Sequence, residues 1–390
     1  MTRDIISERE RELPVSTLGK LLKIMVERKD IISLGPGEPD FDSPKNIIQK
    51  AKKMLDQGYT HYSPPQGRND LRELIAKKLK KENKIKVTPE QIIVTTGSTE
   101  AILLALLCTI DPGEGCLIPD PGFLAYGPCV EVLNGMPLYI PLQEKHGFEL
   151  NVDAMKKIII PEKTNALIIN TPSNPTGTVF SKKCLEEIAD FAVDNELLII
   201  SDEAYEKFVY DGTKHVSIGS LNGMEDYVLT LQSFSKTYAM PGFRIGYAAG
   251  PDRIIKAMTK VHLFTSICAP TISQLAAIEA LTGPQGSVKK MIMEYDRRRK
   301  FIIKRLNEID GFHCLEPKGA FYAFPSIKAF RMKSLDFAKW LLKEAGVAVV
   351  PGTEFGRMGE GYVRLSYATT YEKIVKAMDK IEHAVKPFKM

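Results

Sequence analysis

No two cysteines in this chain form a C-x-x-C pair. The six present, Cys108, Cys116, Cys129, Cys184, Cys268 and Cys314, are scattered, which removes the spacing used by zinc sites and small disulfide frameworks and fits reduced thiols. No metal is expected. Long apolar runs are missing too: the longest, from Ala101 to Ile110, falls well short of the about 20 residues needed to cross a bilayer. The opening Met-Thr-Arg-Asp-Ile-Ile-Ser-Glu-Arg holds no apolar segment of secretion-signal length. A cytoplasmic protein with no membrane partner is expected. An excess of charge is also absent, since a formal net charge of +5 over 390 residues does not point to nucleic acid. Two basic runs, Lys77-Lys-Leu-Lys-Lys81 and Arg297-Arg-Arg-Lys300, fall within helical periodicity and read as solvated faces. Gly35-Pro-Gly37 lacks the third glycine and the strand-to-helix context of a dinucleotide fingerprint. There is no internal repeat or low-complexity segment.

What remains is the make-up of a globular protein, 44% hydrophobic and 26% charged, long enough for one large core and a satellite domain. Short apolar runs alternate with helical periodicity, which predicts an α/β fold built from βαβ units in a largely parallel sheet. Ile92-Ile-Val-Thr95, Ala166-Leu-Ile-Ile169, Leu197-Leu-Ile-Ile200 and Tyr227-Val-Leu-Thr-Leu231 are the strand candidates. Between the second and third, Leu185, Ile188, Ala189 and Ala192 recur at helical spacing behind Ser181, a suitable N-cap. Near residue 285 the texture changes. Strand candidates at 320–324, 347–350 and 362–367 follow a long helical stretch, predicting a second, α+β domain.

Each middle-region run is followed by a polar cluster: Thr96-Gly-Ser-Thr-Glu100, Asn174-Pro-Thr-Gly177, Asp202-Glu-Ala-Tyr205 and Ser233-Phe-Ser-Lys236. Ligands of open α/β sheets bind at the carboxyl ends of strands, so four loops should meet in one crevice. Lys236 has small hydroxyls beside it and Arg244 eight residues on. A lysine whose pKa is lowered by burial or by cationic neighbours forms Schiff bases, and Ser233, Ser235 and Arg244 suit a dianionic phosphate, so the group fits a phosphorylated aldehyde. Ser98 and Thr99, at a strand-to-helix turn, form either a phosphate cradle or an ordinary N-cap. Asp202 ends an apolar strand, where a carboxylate calls for a cationic or proton-bearing partner such as a pyridinium nitrogen. Phe123 could stack on a flat ring. Arg364 could grip a carboxylate with two parallel hydrogen bonds. Asp120-Pro121 and Asn174-Pro175 put prolines in turns beside this crevice, where a cis bond is an option.

Together with Gly37-Glu-Pro-Asp-Phe41, Tyr62 in His-Tyr-Ser-Pro-Pro-Gln-Gly, Gly-Phe-Arg244-Ile-Gly and Lys318-Gly-Ala-Phe-Tyr, these motifs resemble, in order and over nearly the whole chain, the class I/II aminotransferases. These are fold type I pyridoxal-phosphate enzymes that include aspartate and aromatic amino-acid transaminases. The resemblance implies a large cofactor domain at 46–285 with a mostly parallel seven-stranded sheet between helices. It also implies a small C-terminal domain at 286–390 and an N-terminal segment, 1–45, packing with it; the part before Ile31 would close over substrate. Lys236 would carry pyridoxal 5'-phosphate as a Schiff base and act with Asp202 and Tyr205 in catalysis. Asp202 would pair with the pyridinium nitrogen, Asn174 and Tyr205 would bind the ring's phenolic oxygen, and Phe123 would stack on the ring. Ser98, Thr99, Ser233, Ser235 and Arg244 would hold the phosphate, joined by Tyr62 from a second subunit of a homodimer with shared active sites. Gly37 and Arg364, beside Asn174, would receive the substrate carboxylate.

The implied activity moves an amino group between an L-amino acid and 2-oxoglutarate by a ping-pong mechanism. A β-lyase on the same scaffold is the alternative, and a non-catalytic regulator of that fold is disfavoured by the presence of Lys236, Asp202 and Arg364 together. The donor stays open among aspartate, aromatic and broader choices, because the lysine that one subgroup uses to bind a second carboxylate falls here on Thr99.

Overall fold

The computed structural model describes residues 5–14, 19 and 30–388. Seven strands form the central sheet: β2 Ile92–Thr95, β3 Gly115–Asp120, β4 Met136–Pro141, β5 Thr164–Asn170, β6 Leu198–Asp202, β7 Val228–Ser233 and β8 Gly246–Ala249, in the order β2-β8-β7-β6-β5-β3-β4. β8 runs antiparallel to both its neighbours, and every other pairing is parallel. The expected α/β architecture is present. The four strands anticipated from sequence are β2, β5, β6 and β7. They were legible as near-continuous apolar runs, which strands covered on both faces require.

The pleat divides the core between two layers. Leu167, Ile169 and Ile199 pack with Leu185, Ile188 and Ala192 of the helix Lys182–Asp194, whose N-cap Ser181 accepts from the Cys184 amide as expected. Ile168, Ile200, Leu229 and Leu231 point the other way, onto Ala101, Ile102 and Ala105 of the helix Ser98–Thr109. That helix is apolar on nearly every side because it is buried against the sheet.

Beyond the sheet, β1 Ile32–Ser33 pairs in parallel with β10 Val347–Ala348, while β11 Val350–Pro351, β12 Val363–Ser366 and β9 Tyr322–Ala323 form an antiparallel sheet in the order β11-β12-β9. The run 347–350, read as one strand, is thus split between two sheets. A separate core gathers around Tyr295, Phe321, Phe337 and Ile374. The stretch before Ile31 that was expected to close over substrate lies largely outside the described residues. Among those described, no helix is long and apolar enough to cross a membrane.

The basic runs meet the expectation of solvated faces only in part: Lys77, Lys80, Lys81, Arg297 and Lys300 are exposed, whereas Lys78, Arg298 and Arg299 are not. Arg298 and Arg299 of the helix Gly286–Glu308 are buried; Arg298 pairs with Asp40 and Glu294, and Arg299 with Asp211, Asp296 and Glu316. Lys78, half-buried, pairs with Glu206. Glu294 and Asp296 come from the same helix, while Asp40, Asp211 and Glu206 arrive from distant parts of the chain, so the charges are satisfied inside.

Candidate active site

A cavity of about 240 Å³ opens along the carboxyl edge of the sheet. β2 leaves this edge through Gly97, at φ +91°, into the helix Ser98–Thr109. β7 ends in Ser233, whose hydroxyl accepts from the Ser235 amide at 3.1 Å and caps the short helix Phe234–Thr237 that carries Lys236. Gly246, the first residue of β8, is in register with both Thr95 and Ser233, and a Cβ there would fall 2.8 Å from the Ser98 amide nitrogen. At Gly97 a Cβ would fall 2.5 Å from Arg244 Nη2. These two glycines let a helix N-terminus and a guanidinium close on the sheet edge together. Arg244 donates to the carbonyls of Thr96 at 3.2 Å and Pro241 at 3.1 Å. Ser98, Thr99, Ser233, Ser235 and Arg244 all line the cavity, a donor set suited to a dianion.

Glu100 braces this loop from behind. Its carboxylate accepts from the Thr96 amide at 2.6 Å and from the Ser266 hydroxyl, and His262 Nε2 stands 3.3 Å away, at ion-pair distance without hydrogen-bond alignment. Burial works against ionisation, yet His262, Ser266 and Thr96 together bring the carboxyl down to about 2.

Lys236 Nζ donates to the Gly37 carbonyl. Burial lowers its pKa to about 8, against an upward pull from Glu38. Asp202, buried at the end of β6, is pushed upward by burial, while the Tyr126 hydroxyl at 2.8 Å from Oδ2 and the Ala204 amide at 3.1 Å from Oδ1 favour its charged form. Asn170 spans the neighbouring strand ends. Its amide donates to the Asp202 carbonyl at 2.9 Å and its Oδ1 accepts from the Asn174 amide at 2.8 Å.

Arg364 reaches the cavity from β12. Nη1 donates to Asn174 Oδ1 at 2.9 Å and Nη2 to the Gly35 carbonyl, while Nε is buried without a partner. Its guanidinium carbon sits 4.5 Å from the Tyr322 ring centroid and 4.7 Å from that of Phe355. Among the described residues no carboxylate pairs with it, so a buried cation without a counter-charge lines a cavity that an anion would fill.

Gly37, Phe123, Asn174, Asp202, Tyr205, Lys236 and Arg364 line one cavity with the hydroxyl set. Tyr62 does not. Its neighbours His61 and Ser63 are both anchored on Thr271, while Tyr62 itself is 80% exposed. Asp120-Pro121 and Asn174-Pro175 are cis, as is Thr171-Pro172. The Asp120 carboxylate turns away and accepts from the Arg357 and Met358 amides. Sequence reasoning missed Asn170, Tyr126 and Tyr322. Tyr322 lies inside the quoted Lys318-Gly-Ala-Phe-Tyr motif, and Asn170 closes an apolar run as Asp202 does, but nothing local marks Tyr126.

Behind the sheet, Glu203, Glu206 and His215 come close enough together to suggest a metal site. Lys78, Asn83, Ser217 and Gln232 already aim donors at the two carboxylates, which a cation would have to displace.

The sequence pattern of the family described as aminotransferase class I and II matches residues 29–381. The chain is 50% identical over 378 residues to an aspartate aminotransferase of Pyrococcus abyssi, covering 96% of this chain and 97% of that one. It is 47% identical to aromatic-amino-acid aminotransferase 2 of Thermococcus litoralis, over 99% of both. Among solved structures, the Thermus thermophilus aspartate aminotransferase with maleate superposes at a TM-score of 0.93 with 35% identity, covering 98% of this chain and 100% of that one. With its length matched almost from end to end and its fold shared, the chain belongs to the class I and II aminotransferase family and is a transaminase.

Proposed function

We propose that the protein is a pyridoxal 5'-phosphate-dependent transaminase exchanging the amino group of an aspartate-type or aromatic L-amino acid with 2-oxoglutarate in two ping-pong half-reactions. The observation that carries this reading is a lysine with a lowered pKa, a buried aspartate, a phosphate-type donor cluster and a buried, unneutralised arginine on one cavity wall. The residues present fit the cofactor: Ser98, Thr99, Ser233, Ser235 and Arg244 for its phosphate, Phe123 for its ring face, Asn174 and Tyr205 for its phenolic oxygen. When bound, pyridoxal phosphate supplies an aldehyde for the substrate amine and a protonated ring that takes up electrons released at the substrate Cα.

Lys236 is the covalent anchor and the base that takes the proton from the substrate Cα; burial keeps a useful share of its amine neutral near physiological pH. Asp202 holds the proton-bearing ring nitrogen, an ion pair that offsets the cost of burying its carboxylate. Arg364 receives the substrate α-carboxylate through its guanidinium, with Gly37 beside it, and the flanking Tyr322 and Phe355 rings keep water out.

Residues 46–285 act as the cofactor domain and 286–390 as the smaller domain, with 1–45 packed on the latter; the pairing of Ile32 with Val347 supports that last assignment. A second copy of the chain completes each site with Tyr62, whose anchored backbone and exposed ring suit a reach across an interface. The enzyme works in the cytoplasm. Purified protein should absorb in the visible from its cofactor and lose that band on addition of glutamate; a spectrum unmoved by every amino acid tried would overturn the assignment.

A further inference from the structure

We propose that Tyr126 is a positioning residue for the reaction, its hydroxyl fixing the Asp202 carboxylate while its ring edge fixes Phe123. The inference rests on the reading of Asp202 as partner of the cofactor nitrogen and deepens it. Tyr126 opens the helix Tyr126–Glu131 and is fully buried. Its hydroxyl donates to Asp202 Oδ2 at 2.8 Å, and its ring meets that of Phe123 edge-on, with centroids 5.5 Å apart at 76°. One side chain therefore touches both the carboxylate assigned to the ring nitrogen and the aromatic assigned to the ring face.

The contact with Asp202 matters because little else opposes its burial. The Ala204 amide holds Oδ1, and the titratable groups acting on the carboxylate are Tyr126, Glu203, Lys236 and Tyr205; Glu203 works against its charge and Lys236 for it. Burial and the negative charge of Asp202 raise Tyr126 well above the ordinary phenol range, so it stays a donor at every working pH. A carboxylate deprived of that donor is harder to ionise and freer to rotate.

The test compares parent holoenzyme, Tyr126→Phe, Asp202→Asn and the double variant, reading the dissociation constant for pyridoxal phosphate and the pH dependence of the bound cofactor's visible absorbance. Tyr126→Phe keeps the ring against Phe123. It should weaken cofactor binding about tenfold, the size expected for a lost hydrogen bond to a charged group, and move the acid limb of the absorbance profile upward. In the Asp202→Asn background the same change should have little effect. As a second variant, Phe123→Leu should weaken binding while leaving the acid limb in place. An affinity and an acid limb unchanged by Tyr126→Phe, an equal loss in both backgrounds, or an acid limb moved by Phe123→Leu would each overturn the proposal. A parent protein that takes up no pyridoxal phosphate would instead overturn the reading beneath it.

Discussion

The hydroxyls of Tyr205 and Tyr322 lie 2.6 Å apart in the buried wall of the cavity, joining the end of β6 to β9. A phenol has one proton, so if Tyr322 donates, Tyr205 is left free to direct its own at the phenolic oxygen of a bound cofactor. Tyr322→Phe should therefore lower kcat about fivefold, the worth of one neutral hydrogen bond, while Tyr205→Phe alters the cofactor spectrum as well. Parent-like steady-state kinetics for Tyr322→Phe would show that the pair only packs.

Removing the amine should abolish turnover. Lys236→Ala is expected to cut the half-reaction with glutamate by more than about a hundredfold, the lower end for loss of a general base. Borohydride treatment should attach label at residue 236 in the parent and none there in the variant. Peptide mapping that finds the label at another lysine would move the anchor elsewhere.

Uptake of pyridoxal phosphate by apoprotein should depend on pH in one direction. Only the neutral amine attacks an aldehyde, and Lys236 releases its proton at about 8. The rate should climb about tenfold per pH unit below that value and level off above it. Stopped-flow absorbance reads it directly, and a profile level on both sides of about 8 would contradict the burial effect.

Arg364→Lys keeps a positive charge and loses the planar fork. The kcat/KM for glutamate should fall about a hundredfold, because a lysine cannot hold Asn174 and Gly35 while binding a carboxylate bidentately. Equal loss for an amine without an α-carboxylate would mean that Arg364 shapes the cavity rather than binding the acid.

Glu100→Gln should destabilise the fold in a pH-dependent way. The native carboxyl sits at about 2, below its unfolded value of about 4.3, so its contribution is complete above the unfolded value and vanishes as pH falls through the native one. His262, raised by the same partnership, contributes in the opposite sense, fully below its unfolded value and less as pH rises through its native one. Melting curves of parent and variant should differ most between these limits and converge toward strong acid; a gap independent of pH would rule out the ionic contribution.

Much of this arrangement was legible from order along the chain. β5 and β6 carry continuous apolar runs and β7 one broken only by Thr230 before Gln232 and Ser233, and a polar residue at the end of such a run belongs at the carboxyl edge; Asp202 and Ser233 were placed by that logic. β4 hid behind Pro137 and Pro141, tolerated because it is an edge strand, and Gly-Tyr-Ala-Ala in β8 carries too little β propensity to stand out. The contact of Tyr126 with Asp202 joins positions 76 apart in sequence, and only packing of a helix against the sheet brings them together. Arg298 and Arg299 looked solvated for the same reason, since Asp40 and Asp211 meet them from far along the chain.

β8 enters the sheet against the direction of its neighbours, so its first residue, Gly246, sits at the rim beside Thr95 and Ser233. The anion cup is thus assembled from segments some 150 residues apart, and closing loops of that length is costly before the contacts that reward it exist. A chain in which β2, β7 and β8 have not met has no cup to offer. Capture of the phosphate should wait for that assembly, and a fully loaded population doubles as a census of molecules whose central sheet has closed.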